Sequence, residues 1–218
     1  MEDSSGQVAP DSLSRSSFYW SRCQGFRLRL TACQRSDAEL FGYYSSLIST
    51  GSRFQLPLQD VLAEARERFV FEGPARHNVC ISHAMRKRLN ERLGAHFKPA
   101  GARYLKACKP HEESNWVYPG APLIGCCSGQ RGKVRNNVGY EVAALTEGGV
   151  ALEGGVKLTD AQVLSWTRPA WARTIASIQG TEFDEELRIW DTRNPHFTLK
   201  HLYVCISRCR DAAKLHVT

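Results

Sequence analysis

The chain has 218 residues, 42% of them hydrophobic and 23% charged, which is enough apolar content for a packed core and too much for wholesale disorder. Its length allows one domain, or one domain carrying a small insert, and is short for two tandem nucleotide-binding domains. Twenty-nine Lys and Arg against 22 Asp and Glu leave a net charge of +7, which favours a polyanionic partner.

Residues 1–17 contain six serines and almost no apolar periodicity, so they read as a flexible tail. Order is expected from Phe18-Tyr19-Trp20. Phe26-Arg27-Leu28-Arg29-Leu30 alternates apolar and basic, as a half-buried strand does. Asp37 is placed to cap a helix on which Leu40, Phe41, Tyr44, Leu47 and Ile48 share a face, with Gly51 ending it. Pro57 can open a second helix as its first residue, with Val61, Leu62, Ala65 and Phe69 inward. His77 to Ser82 reads as a short buried strand, followed by a basic helix over roughly 83–93. This succession is the grammar of an α/β domain.

From about 98 to 165 the character changes to Gly- and Pro-punctuated short segments. Tyr140-Glu141-Val142-Ala143-Ala144-Leu145 and Val150-Ala151-Leu152 flank Glu147-Gly148-Gly149, the pattern of a small antiparallel β insert. After Trp171 the α/β pattern returns. Leu187 to Trp190 is a strand candidate, Phe197 to Ser207 is mostly helical, and Lys214 to Val217 is a closing strand. The expected organisation is a tail at 1–17, an α/β domain at 18–97 and 166–218, and an inserted β subdomain at 98–165.

No stretch approaches the ~18 consecutive apolar residues of a membrane span, and the polar N-terminus lacks the apolar core of a secretion signal. The eight cysteines are scattered, several within apolar runs such as Val79-Cys80-Ile81. They read as thiols in a reducing compartment, nuclear or cytoplasmic, rather than as a disulfide framework. Cys108, His111, Cys126 and Cys127 carry ligand chemistry, but their spacing matches no standard zinc finger, so no metal site is expected.

A phosphate-cradling loop needs Gly-x-x-x-x-Gly-Lys followed by Ser or Thr. Gly120 to Gly125 has the glycine spacing, but Cys126-Cys127 follow. Gly129 to Val134 lacks the earlier glycine and the hydroxyl. Both read as turns of the insert, and the chain does not build a complete ATP site by itself. Three other segments put a polar or charged group at the edge of an apolar element: Leu30 to Asp37 with Arg35, Ala172 to Asp184, and Leu202 to Cys209 with Arg208. A guanidinium so placed can stabilise charge on a transferring phosphoryl group, although read singly such an arginine is more often a surface residue or a structural ion pair.

In order and spacing these segments resemble the C-terminal half of superfamily 1 DNA helicases, of the RecD-like branch that includes the petite-integration-frequency helicases. Ser82 to Asn90 resembles the family's strand, polar turn and Asn-bearing helix. Tyr118 to Ile124 and Val134 to Val142 resemble a further characteristic stretch, and the likeness runs from about 26 to 217. It implies a second RecA-like domain carrying a small SH3-like insert. It also implies ATP and Mg2+ only in company with a P-loop-bearing N-terminal half, supplied in cis or in trans. By the same resemblance Arg35 and Arg208 would sense the γ-phosphate, and Gln179, Gly180 and Glu182 would couple the nucleotide cleft to single-stranded DNA. Thr174 would lie towards the DNA. The chain departs from the family where its His-Lys-Ser becomes Ala176-Ser177-Ile178.

Between residues 76 and 109 stand nine Lys or Arg against one acid, Glu91. The run reads either as a solvated face or as a phosphate-backbone track. His83, Arg86, Lys87 and Asn90 join Thr174 as candidate nucleic-acid contacts. Trp116 and Tyr118 are either stacking platforms for bases or anchors of the β module. The expected function is the C-terminal motor half of an ATP-dependent DNA helicase. The alternative is a non-catalytic module, derived from such a half, that binds nucleic acid or a protein partner.

Overall fold

The computed structural model describes residues 17–22, 35–48, 51–127 and 134–218. The strand expected at 26–30 and the Thr31–Gln34 stretch lie outside the described residues. Helix α1, Ser17–Arg22, belongs to the N-terminal unit of the chain; everything below concerns the unit from Arg35 to Thr218.

Helix α2 spans Ala38–Ser45. Its cap is the expected one, with the Leu40 N–H donating to Asp37 Oδ1 at 2.7 Å. Helix α3 spans Leu58–Arg68, with Pro57 one position ahead of the first helical residue. Val61, Leu62, Ala65 and Phe69 are buried as the spacing predicts. The Tyr43 hydroxyl donates to the Val61 carbonyl at 3.0 Å, and its ring meets Phe69 edge-on, so α2 and α3 share one core.

Strand β1, His77–Cys80, leads through the N-cap Ser82 into helix α4, His83–Phe97. The helix outruns its expected end at 93, although Gly94 reads locally as a stop. Phe97 stacks on buried Trp171 with centroids 4.6 Å apart and planes 16° from parallel, and this packing carries the helix through the glycine.

Beyond α4 come β2 (Arg103–Leu105) and β3 (Asn115–Val117), which pair antiparallel. Strands β4 (Pro122–Gly125), β5 (Gly139–Thr146), β6 (Gly149–Leu152) and β7 (Lys157–Thr159) follow. Then come helix α5 (Asp160–Trp166) and β8 (Thr167–Pro169). The resulting antiparallel sheet has the order β7-β6-β5-β4-β8. Its last strand lies past 165; Pro169 is tolerated there because β8 is an edge.

The chain then re-enters the first layer. Strands β9 (Ala172–Thr174), β10 (Leu187–Ile189) and β11 (Leu215–Val217) join β1 in a parallel sheet of order β11-β10-β1-β9. Short 3₁₀ turns follow β9 at Ile175–Ile178 and precede β11 at Ala212–Lys214. Helix α6, Leu199–Ile206, opens with a capping box between Thr198 and His201. Val79, Leu187, Ile189, Leu202, Cys205, Ile206 and Leu215 are fully buried. Along β9, β10 and β11 burial alternates, with Arg173, Arg188 and His216 half-buried between buried neighbours. Among the described residues the cysteines are all free, with Cys80, Cys205 and Cys209 buried and Cys108 exposed. No described helix is long and apolar enough to cross a membrane.

One side chain fastens the edge of the parallel sheet. Asn90, buried on α4, accepts from the Ala172 N–H at 2.8 Å and donates to the Ala172 carbonyl at 3.1 Å. It thus acts as a missing neighbour strand for β9. Asn90→Ala leaves both peptide groups without a partner and is expected to lower unfolding free energy by about 2–4 kcal/mol. Urea denaturation measures this, and a loss below roughly 0.5 kcal/mol contradicts the assignment.

Candidate nucleic-acid cleft and arginine cluster

The C-terminal ends of β1 and β9 open onto a cleft of about 470 Å³ between the parallel layer and the antiparallel sheet. In open α/β sheets this end of the strands is where ligands sit. His83, Arg86 and Thr174 line one side, and Asn137 and Arg168 line the other. No carboxylate is among the lining residues. Glu113 lies behind the wall, holding the buried Arg86 by two hydrogen bonds of 2.8 and 2.5 Å. It also stands 3.9 Å from Arg168 Nε.

Arg173, on β9, ties the two walls together. Its guanidinium donates to the Ser177 carbonyl and, at 3.3 Å, to Asn137 Oδ1. Asn137 Nδ2 donates to the same Ser177 carbonyl at 3.1 Å. Asn137 itself stands at φ +61°, a conformation that asparagine tolerates. Below it, Gly125 is required by close approach, since a Cβ there would lie 2.1 Å from the Arg135 carbonyl oxygen. Burial lowers the Arg173 pKa from its ordinary value, yet a guanidinium stays charged through the biological range. No carboxylate pairs with it among the described residues.

The opposite, N-terminal ends of β10 and β11 carry a second cluster. Arg35 Nε meets Glu182 Oε1 at 2.7 Å. Arg210 meets Glu182 Oε2 at 3.0 Å and Asp184 Oδ1 at 2.9 Å. Asp37 joins through the backbone, accepting from the Ala212 N–H at 2.6 Å. Arg208 lies alongside, its carbonyl accepting from the Phe183 N–H at 2.8 Å. Its half-buried side chain makes no ion pair among the described residues, and Nε has no hydrogen-bond partner. Gln179 and Gly180 are exposed on the connection from β9. Gly180 has φ +84°, so only glycine turns there without strain.

The sequence candidates therefore divide into two places. Arg35, Arg208 and Glu182 come together at one end of the sheet, while His83, Arg86 and Thr174 come together at the other. Asn90 points inward and is spent on Ala172; Arg86 is spent on Glu113. Lys87 is exposed on the next turn of α4, outside the cleft. Arg168, Arg173, Asn137 and Arg210 were not singled out from the sequence. Arg173 precedes Thr174 and Asn137 lies in the Val134–Val142 stretch, so both had a local signal, whereas Arg168 and Arg210 had none.

Glu182 gives the second cluster a titratable reporter. Hydrogen bonding from Arg210 first, and the charge of Arg35 with it, hold its carboxyl below the usual glutamate range. The sign follows directly: what these pairs contribute is present above the unfolded-state pKa and fades as pH falls through the lowered folded value. Carboxyl-detected NMR is expected to place the Glu182 titration below the ordinary glutamate range and Arg210→Ala to move it upward; an unmoved titration contradicts the cluster.

No protein-family model matches the chain, and no curated protein matches it. Solved structures do. A Pif1 helicase from work on unwinding of forked double-stranded DNA by two coordinating Pif1 helicases is 18% identical, with a TM-score of 0.60 over 86% of this chain and 48% of that one. Bacteroides Pif1 bound to single-stranded DNA is 18% identical, with a TM-score of 0.56 over 85% and 50%. Bacteroides Pif1 with ADP-AlF3 and single-stranded DNA is 19% identical, with a TM-score of 0.56 over 86% and 50%. The chain thus spans about half the length of these helicases, and the likeness is one of fold: a RecA-like α/β domain with an inserted antiparallel β subdomain.

Proposed function

We propose that the chain is the C-terminal motor half of an ATP-dependent DNA helicase. The observation that carries this reading is the carboxylate-free cleft at the C-terminal ends of β1 and β9, walled by the α/β layer and the β insert. Single-stranded DNA lies there, with its phosphates near His83, Arg168 and Arg173 and with Thr174 at the floor. The domain boundaries given from the sequence, 18–97 and 166–218 for the RecA-like part and 98–165 for the insert, belong to the same proposal.

The arginine cluster is the phosphate-sensing end. Arg208 makes no ion pair among the described residues, the state expected of a guanidinium kept for an external anion. Arg35 is 47% exposed and must leave Glu182 to reach a phosphate. The P-loop and the Mg2+ ligands come from an N-terminal half. ATP bound there supplies a phosphoryl group whose developing charge Arg35 and Arg208 stabilise, while Gln179, Gly180 and Glu182 relay domain closure to the DNA. The Arg35–Glu182 pair also favours a second reading, in which the chain binds nucleic acid without serving ATP turnover, because that arginine is already engaged.

Two measurements test this. The chain is expected to bind oligodeoxynucleotides with log affinity falling linearly in log salt, at about 0.7 per phosphate contacted. The double variant His83→Ala/Arg168→Ala is expected to flatten that slope by one to two contacts; salt-independent binding contradicts the cleft. In a helicase completed by a P-loop-bearing half, Arg35→Ala or Arg208→Ala is expected to cut ATP turnover by roughly 10³-fold or more with the circular dichroism unchanged. Normal hydrolysis with both substitutions rejects the motor reading in favour of the binding module.

A further inference from the structure

Four of the nine basic residues between 76 and 109 are paired with carboxylates. Arg76 pairs with Glu141 and Glu185, Arg86 with Glu113, Arg103 with Asp160 and Lys109 with Glu112. Lys87 and Lys98 have no such partner among the described residues, and both are exposed. Lys98 sets its ammonium 3.8 Å over the ring of Trp116. Trp116 on β3 is the cross-strand partner of Tyr104 on β2, with centroids 4.9 Å apart. Tyr104 is 46% exposed. A half-exposed ring beside a second ring and a cation offers a face on which a base can stack.

Its position gives it meaning. His83, Lys87, Glu91 and Ala95 recur every fourth residue on α4, and all are exposed, so they form one line down the helix. The line starts in the cleft at His83. It continues past a hollow lined by Lys87, Glu91 and Tyr104, and ends at a hollow lined by Ala95, Tyr104 and Trp116. At 1.5 Å per residue it is roughly 18 Å long. Glu112 and Glu113, which also border the first hollow, are held by Ser165 and Arg86. Glu91 is the one acid on the line itself.

We infer that single-stranded DNA leaving the cleft continues along this face of α4 and stacks a base on Tyr104. The phosphates pass Lys87 and Lys98. Glu91 faces base edges, where a carboxylate accepts from an exocyclic amino group and repels the phosphates to the lysine side. Stacking on an aromatic is tolerant of sequence and strengthens binding mainly for strands long enough to reach it. The inference rests on the cleft as a DNA site and extends it by a second, aromatic step.

The test compares binding of short and long oligodeoxycytidylates, about 4 and 12 nucleotides, to the full chain by fluorescence anisotropy. Tyr104→Ala is expected to weaken the long strand by roughly five- to a hundred-fold and leave the short one unchanged. Tyr104→Phe is expected to retain wild-type affinity for both, and an unchanged thermal midpoint separates stacking from folding. If Tyr104→Ala binds the long strand as wild type does, while His83→Ala/Arg168→Ala weakens both lengths, the aromatic step is overturned and the cleft stands. If the cleft variant changes neither length but Tyr104→Ala weakens the long strand, the step stands and the cleft reading fails. If wild type binds neither strand, both are overturned.

Discussion

The peptide of Ala172 is the point on which the cleft depends. Ala172 opens β9, the edge strand of the parallel sheet, and its N–H and carbonyl face away from β1. An edge strand with open peptide groups is free to shift or to pair elsewhere. Here the Asn90 side chain takes both groups, at 2.8 and 3.1 Å, and so joins the edge to the middle of α4. Arg173 and Thr174 follow in the next two positions, and Arg173 in turn braces Asn137 of the insert through the Ser177 carbonyl. One buried amide thus sets the register of the floor, the wall and the loop opposite.

The two ends of the sheet treat charge differently. At the cleft end Glu113 holds Arg86 from behind and stands 3.9 Å from Arg168, while Arg173 is braced by the Ser177 carbonyl and Asn137 and has no carboxylate partner among the described residues. At the other end Arg35 and Arg210 are drawn onto Glu182 and Asp184, and among the described residues Arg208 makes no ion pair. Exposed pairs of this kind each contribute little to stability, so an incoming phosphate can compete for Arg35. A stationary cationic wall suits a polyanion that slides through many equivalent positions. A labile pair suits an anion that arrives, reacts and leaves.

Much of the fold was legible in the sequence. Asp37 as a cap, the inward face of α3, the strand at His77 and the hairpin around Glu147-Gly148 are local signals, and the structure places them within a residue or two. The end of α4 was not legible, because Gly94 reads as a stop and only the stacking of Phe97 on Trp171 overrules it. The candidate site was legible in part. Motif order singles out Thr174, Arg35 and Glu182, and the structure places Arg35 beside Glu182 and Thr174 in the cleft; Arg86 and Asn90, read from the sequence as contacts to DNA, have Glu113 and the Ala172 peptide as partners. Those partners stand 27 and 82 residues away along the chain, and no local pattern reports such a pairing. Arg168 escaped notice for the same reason, since only the fold brings it across the cleft from Thr174.

The measurement that bears most directly on the central claim is amide hydrogen exchange of the chain with and without a saturating single-stranded oligodeoxynucleotide. The account predicts added protection in the segments 134–138 and 174–178, the two walls of the cleft, with residues 182–184 and 210–212 unchanged. Protection confined to 182–184 and 210–212, with the cleft segments exchanging as in the free chain, would contradict it.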